Sequence, residues 1–432
     1  MQTQVQVKVY KSTELPKDWA KRQQADQKAT ADLEASVKAI INQVRVDGDK
    51  ALLEFAQRFD KAKLTTSTLR ASKEEIQEAY SKVTKEQVAA IEFMKQRVSW
   101  FQKQLLSQTD IRAFNEGIMV QTVLRPIESV GCYVPGGQAS YPSTVVMTAV
   151  PAKIAGVPRI VVCSPSDAQG KVNPLVLVAA DICGVDEVYK IGGAQAIAAI
   201  TYGTETIKPV RLIVGPGSKY VTMAKVLVSQ DVAIDMPAGP SEVLILADET
   251  ADAHLVAYDM VSQAEHGTDS VAALITTSDK LAVQVQQQLS GIASTAPRGD
   301  KIVDSLNKYG FIVTCQNMRE AVALTNEFAA EHLEVIAKDA KQLAEKLVAG
   351  LILIGPYSPV PLSDYASGTN HVLPTGGFAK SFSGLSAFDY MRRVSVVECS
   401  REGLEKVRAH VKVLTDTENL PNHTKAITAR FE

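Results

Sequence analysis

The stretch RIVVCSPSDAQGKVNPLVLVAADICGVDEVYKIGGAQAIAAITYG, residues 159–203, decides the fold class. Arg159–Cys163 is short, apolar and β-branched, as a buried strand is. A Ser164-Pro165 turn follows. Leu175–Ile182 then reads as a helix, Val188–Ile191 as a strand and Ala194–Tyr202 as a second helix. Upstream, Val120–Leu124 and Val130–Val134 read as strands, and Ser143 as the cap of a helix through Val146, Ala149 and Ile154. Downstream, Arg211–Val214 is a strand and Tyr220–Val228 a helix. Strands alternating with short helices imply parallel βαβ units and a doubly wound sheet. The strands end in Pro135-Gly136-Gly137, Ser164-Pro165, Gly192-Gly193 and Gly215-Pro216-Gly217, and ligands of such sheets sit at the carboxyl ends of strands. None of these turns carries GxGxxG, so the pattern permits a nucleotide site without demonstrating one.

A similar rhythm returns after Asp231. Strands are expected at Val243–Leu246, Ala272–Thr276, Phe311–Thr314, Val335–Ala337 and Leu351–Ile354, with helices between. The likeness of the two halves is compatible with an old duplication, although no clear internal repeat is visible. The first hundred residues are mostly helical. One apolar face runs through Leu33, Val37, Ile40, Ile41 and Val44 from about Ala25, and Asp47-Gly48 marks a turn. Ser72-Lys-Glu-Glu75 and Thr84-Lys-Glu-Gln87 are capping boxes. The end of the chain carries helical patterns around Ala387–Arg393 and Leu404–Leu414. Such a tail cannot bury its own apolar face, so it should dock on the body or on a second subunit. The division expected is a tail at 1–25, an α/β domain of 26–130 with 241–384, a second α/β domain at 131–240, and a helical tail at 385–432.

Bulk properties exclude several classes. A net charge of -2 with no basic run argues against nucleic acid. The start, Met1-Gln-Thr-Gln-Val5, has neither the charge nor the apolar core of a signal peptide, and no apolar run reaches membrane-spanning length. The five cysteines form no CxxC pair. Reduced thiols in the cytoplasm are the expected reading.

The chemistry concentrates in three clusters and the tail. Ser262-Gln-Ala-Glu-His-Gly-Thr-Asp-Ser270 closes an expected helix Ala253–His266, on which Gln263 and His266 share a face. Two metal ligands fit there, but so does a histidine that merely ends a helix. On chemistry alone Glu265 would precede Gln263, because a neutral amide is an uncommon zinc ligand. Ala329-Ala-Glu331-His332-Leu333 sets an acid beside an imidazole just before a strand, which suits proton transfer or an ordinary surface pair. Pro361 to His371 is a polar loop around Asp364 that suits ligand binding or a solvated turn. Glu418 and His423 flank Pro421. Gln263, His266, Asp364 and His423 together would suit a borderline divalent ion such as zinc, and the lack of HExxH argues against a common zinc protease.

Read as blocks, Ser262–Gly267, Glu331–Leu333 and Asp364-Tyr-Ala-Ser-Gly-Thr-Asn-His-Val-Leu-Pro374 strongly resemble the histidinol dehydrogenase family. So do Asp235-Met-Pro-Ala-Gly-Pro-Ser-Glu242, Gly192-Gly-Ala-Gln-Ala196 and Tyr133-Val-Pro-Gly-Gly137. The resemblance runs in order over nearly the whole chain. It implies an NAD-dependent homodimer with one zinc ion per subunit that oxidises L-histidinol through an enzyme-held aldehyde to L-histidine. It implies Gln263, His266, Asp364 and His423 as zinc ligands, with the tail histidine exchanged between subunits. Glu331 and His332 match the proton-transfer pair. Ser241, His371 and Glu418 match substrate contacts, beside the metal ligands and His332. Tyr133 and Gln195 match cofactor contacts. Where the family has an asparagine after Gly-Pro-Gly, this chain has Ser218, which implies a weaker hold on NAD. Asn419 and Pro421-Asn422 also depart from the commoner glycine-containing tail.

Two other readings compete. A related zinc and NAD dehydrogenase of another small polar alcohol is opposed by Glu418 and His371, which suit an amine and an imidazole. A non-catalytic oligomeric binding protein is opposed by the intact Glu331-His332 pair.

Overall fold

The computed structural model describes residues 5–20, 27–107, 111–136, 140–237 and 239–432. The helix start expected near Ala25 and Gly137 of the first turn lie outside them. Two parallel sheets form the body. The five-stranded sheet has the order Glu187–Tyr189, Ile160–Cys163, Val130–Tyr133, Leu212–Val214, Ala233–Ile234. The six-stranded sheet has the order Lys8–Lys11, Phe311–Thr314, Val271–Thr276, Glu242–Ala247, His332–Ile336, Leu351–Ile354. Leaving the first strand aside, each sheet starts in its middle, winds one way and then reverses to the other side. The shared rhythm of the two halves is thus a shared topology. The central strands are buried end to end, as Ile160–Cys163 and Glu242–Ala247 are. This is why they read as unbroken apolar runs.

Four features differ from the expectations. Residues 8–11 are not a loose tail: they pair in parallel with Phe311–Thr314, while Val5 and Val7 enter the core. A third, antiparallel sheet joins Ile111–Asn115, Ile118–Pro126 and Met391–Cys399. The helix expected around Ala387–Arg393 is only a 3-10 turn, Ala387–Tyr390, before that last strand. Val394, Val396 and Val397 are β-branched, and a full nine-residue register with Ile118–Pro126 holds them extended. The helix expected to be capped by Ser143 begins at Pro142, with Tyr141 as an N-cap that makes no side-chain bond. Proline presets the backbone of a first helical turn and so replaces the cap.

The N-terminal helices take a different partner from the one expected. Helix Gln27–Asp47 packs on Gly193–Tyr202 and Lys219–Val228, and Lys85–Leu106 packs on Pro142–Ala155. Residues 27–106 therefore group with the five-stranded unit rather than with 241–384. Val37, Ile41, Val44 and Leu52 fill that interface. Fully burying one such side chain contributes about 1.5–3 kcal/mol. Both capping boxes form, at Ser72 with Glu75 and at Thr84 with Gln87. Among the described residues no helix is long and apolar enough to cross a membrane.

Candidate active site

Two neighbouring strands bring the acid–imidazole pair into place. Glu331 immediately precedes strand His332–Ile336, and His332 is its first residue, three positions before the expected strand start. The adjacent strand, Glu242–Ala247, starts at the same level, with His332 opposite Val243. Glu331 Oε2 accepts the Glu242 N–H at 2.7 Å, and Glu242 Oε2 accepts the Glu331 N–H at 3.3 Å. The other Glu242 oxygen accepts the Gly376 N–H at 3.0 Å, tying the polar loop to both strands. His332 Nδ1 lies 3.3 Å from the Glu242 carbonyl and 3.7 Å from Glu331 Oε2. A proton on Nδ1 donated to that carbonyl leaves Nε2 as the free ring nitrogen. Nε2 lies 3.5 Å from Asp364 Oδ1. These residues sit at the amino ends of the six-stranded sheet, the edge opposite to the one where doubly wound sheets usually hold ligands.

Gln263 comes from helix Ala253–Ala264, which ends two residues before His266. His266 therefore lies past the helix, with Nδ1 3.2 Å from the Gln263 carbonyl. Gln263 is buried while Glu265 is exposed. Geometry thus selects the amide that ligand chemistry alone would pass over. Both side-chain atoms of Gln263 are buried without a hydrogen-bond partner in the described structure, and Asp364 Oδ1 and His332 Nε2, equally buried, reach only the 3.5 Å ion pair between them. Each such group costs about 1–3 kcal/mol unless something occupies it. A buried amide with neither atom partnered, and an ion pair with no hydrogen bond of its own, are what a site built for a ligand leaves behind. Among the described residues no three His, Cys, Asp or Glu side chains gather as a metal cluster.

The tail residues stand apart. Glu418 and His423 are exposed. Among the described residues no hydrogen bond or ion pair joins them to Gln263, His266 or Asp364. Asn419 adopts a left-handed backbone, φ 56, which asparagine tolerates much as glycine does. This accounts for the missing glycine. Ser241 precedes strand Glu242–Ala247, and His371 is partly buried in the loop after Asp364.

Electrostatics follow from burial and neighbours. Burial pushes the Glu331 carboxyl up, against the pull of His332. Burial alone would lower His332, but the carboxylates of Glu331 and Asp364 outweigh it and raise the imidazole to about 10. Burial works to raise Asp364, yet its contact with His332 holds it below its ordinary value. Burial lowers His371. In protein with no cation at this site the His332 shift has a definite sign. A folded pKa above the unfolded one adds stability that is complete below about 6.5 and is lost as pH rises through about 10. Thermal unfolding of chelator-treated protein should therefore show a melting temperature falling across that window, and His332→Asn should flatten the fall. Equal slopes would mean that His332 is not held charged.

The cofactor candidates gather at the carboxyl edge of the five-stranded sheet. The Tyr133 hydroxyl accepts the Gly193 N–H at 3.0 Å, and burial pushes the phenol up to about 12. Gln195 is buried close to Gly193, whose Cβ, if present, would lie 2.6 Å from Gln195 Oε1. Ser218 is the exposed N-cap of helix Lys219–Val228, and its hydroxyl makes no cap bond. A cleft of about 380 Å³ lies on this side, beside Pro135, Ser164 and Pro165, and not over Glu331 and His332. Sequence reading assigned no role to Glu242, although it joins Glu331, His332 and the Gly376 loop. An acid opening an apolar strand, Glu242-Val-Leu-Ile-Leu246, was the one available signal.

The family model described as Histidinol dehydrogenase matches residues 21–431. A histidinol dehydrogenase of Bacteroides fragilis is 44% identical over 93% of this chain and 94% of its own length. That of Methanosarcina mazei is 42% identical over 93% and 92%. The crystal structure of histidinol dehydrogenase from Elizabethkingia anophelis superposes with a TM-score of 0.93 at 34% identity, covering 99% of each chain.

Proposed function

The chain belongs to the histidinol dehydrogenase family, oxidoreductases of histidine biosynthesis, and from that premise we propose how its residues divide the reaction. L-Histidinol is oxidised to L-histidine in two hydride transfers to two NAD molecules, through an aldehyde that stays on the enzyme. In the first, the carbinol hydride passes to the nicotinamide and neutral His332 takes the hydroxyl proton on Nε2; a cation on Asp364 would offset the carboxylate charge that holds the imidazole protonated without one. In the second, Glu331 removes a proton from water as its oxygen adds to the aldehyde carbon. The adduct then gives its hydride to the second NAD, leaving the carboxylic acid, which releases its proton to solvent as the carboxylate. A carboxyl raised by burial is the better base for that step.

The observation that carries this reading is the buried Glu331-His332 pair with Asp364 against its imidazole, together with a buried Gln263 amide that has no hydrogen-bond partner. The unpartnered amide and the buried carboxylate fit a divalent cation. A zinc ion held by Gln263, His266, Asp364 and His423 of the partner subunit would anchor the substrate's imidazole and amine, so its contribution is positioning. Ser241, His371 and Glu418 complete the substrate contacts, and Tyr133, Gln195 and Ser218 meet the cofactor. The assembly is a homodimer that exchanges its tails. Exposed Val413, Leu414 and Leu420 on the tail favour that docking. The five free cysteines, four of them buried, suit the cytoplasm.

Purified protein given L-histidinol and NAD should yield about two NADH per substrate, the sum of one alcohol and one aldehyde oxidation. Chelation should abolish the yield and zinc should restore it. No NADH from histidinol in zinc-replete protein would overturn the assignment, and activity indifferent to exhaustive chelation would overturn the metal.

A further inference from the structure

A buried ion pair lies behind the cofactor turn. Lys225, in helix Lys219–Val228, pairs directly with Asp235, just past strand Ala233–Ile234, and their side chains are only 4% and 1% exposed. The two hold opposite ends of one residue. Lys225 Nζ donates to the Gly215 carbonyl at 2.9 Å, and Asp235 Oδ2 accepts the Gly215 N–H at 2.8 Å. Asp235 is itself fixed: its N–H donates to the Ile213 carbonyl at 3.1 Å, and its other oxygen accepts the Met236 N–H at 2.7 Å.

Gly215 has no room for a side chain. Its φ is +110, and a Cβ there would stand 2.3 Å from the Tyr133 carbonyl oxygen. The turn Gly215–Ser218 is thus pressed against the backbone of Tyr133, at the junction where the sheet reverses its winding. Ligands of doubly wound sheets bind at that junction. Stability alone does not explain charges here. A buried ion pair can often be replaced by apolar side chains with no loss. Apolar side chains, however, could not hold both polar groups of Gly215. Asp235 also opens the connector to Ser241 and Glu242, so the same pair ties the cofactor turn to the substrate side.

We propose that Lys225 and Asp235 are positioning residues for the cofactor, holding the Gly215–Ser218 turn and the start of its helix in a preset shape against Tyr133. The inference rests on the reading that Tyr133, Gln195 and Ser218 meet NAD. Positioning of this kind affects binding before chemistry, so it separates KM from kcat.

The test uses the zinc-loaded dimer. Lys225→Met strands a buried carboxylate, so the informative variant is the double K225M/D235N, which leaves no unpaired charge. It should raise the KM for NAD by about tenfold or more, with kcat and the histidinol KM within about threefold. Lys225→Arg, which keeps a donor and a charge, should stay near wild type. Asp235→Asn keeps the side-chain volume and supplies the same reading should the double variant not fold. Wild-type NAD KM in either variant, whatever its melting temperature, overturns the inference. Ser218→Trp tests the underlying reading separately. If it raises the NAD KM while K225M/D235N does not, only the positioning role falls. If it leaves the NAD KM unchanged, the cofactor reading falls, and this inference with it.

Discussion

His332→Asn should lower kcat for histidinol oxidation by about 10²–10⁴-fold, the usual contribution of one positioned acid–base group. Asparagine is the sharper choice over alanine. Its amide can reproduce the Nδ1–H donor to the Glu242 carbonyl, now 3.3 Å away, and it removes only Nε2. The pocket keeps its packing and its anchored backbone, so the loss reports the missing base. Histidinol and NAD should still bind within a few fold of wild type, because the proposed metal ligands and the five-stranded edge are untouched. A kcat loss below tenfold would mean that another group takes the alcohol proton. Glu331→Gln separates the two oxidations. Its amide oxygen can still accept the Glu242 N–H, 2.7 Å from the present carboxylate, but it cannot deprotonate water. The first NADH should then form as a burst, followed by a second that is slower by a similar factor. Equal rates for both NADH would remove Glu331 from the water step.

The parts of this molecule that the sequence reveals are those whose signal is local. Ile160–Cys163 and Leu212–Val214 read as strands because a buried parallel strand must be apolar on both faces. The Ser72 and Thr84 boxes read as helix starts because their partners lie three residues away. Lys8–Lys11 and Met391–Cys399 were illegible for the converse reason. Neither is apolar enough to declare itself, and each becomes a strand only by pairing with a segment roughly three hundred residues away in the first case, and nearly as far in the second. The site divides along the same line. Glu331 and His332 stand out as adjacent polar residues inside an apolar region, and their neighbours in sequence announce them. Glu242 and the pair Lys225 and Asp235 are single charges in apolar runs. What they do depends on Glu331 and Gly215, which no spacing links to them. The choice of Gln263 over Glu265 is of this kind too, since ligand preference favours the acid and only burial turns the amide inward.

Mixing two inactive variants should restore activity if the tails are exchanged. His423→Ala damages the tail, and His332→Asn damages the body. In a heterodimer of the two, one body is intact and receives the intact tail of its partner, while the other site carries both lesions. Random reassociation makes half the dimers mixed, each with one working site of two. Activity should therefore recover to roughly a quarter of wild type. The geometry behind this is the separation within one chain. His423 lies exposed on Pro421–Thr428, and no hydrogen bond or ion pair joins it to Asp364 or Gln263 among the described residues. Val413 and Leu414 meanwhile offer 65% and 61% of their surface to whatever covers the helix Arg401–Thr417. His332→Asn mixed with His266→Ala is the control. Both lesions lie in the body, so no arrangement of tails can assemble an intact site, and the mixture should stay inactive. Isolated heterodimer of the first pair with no recovery would mean that each tail serves its own body.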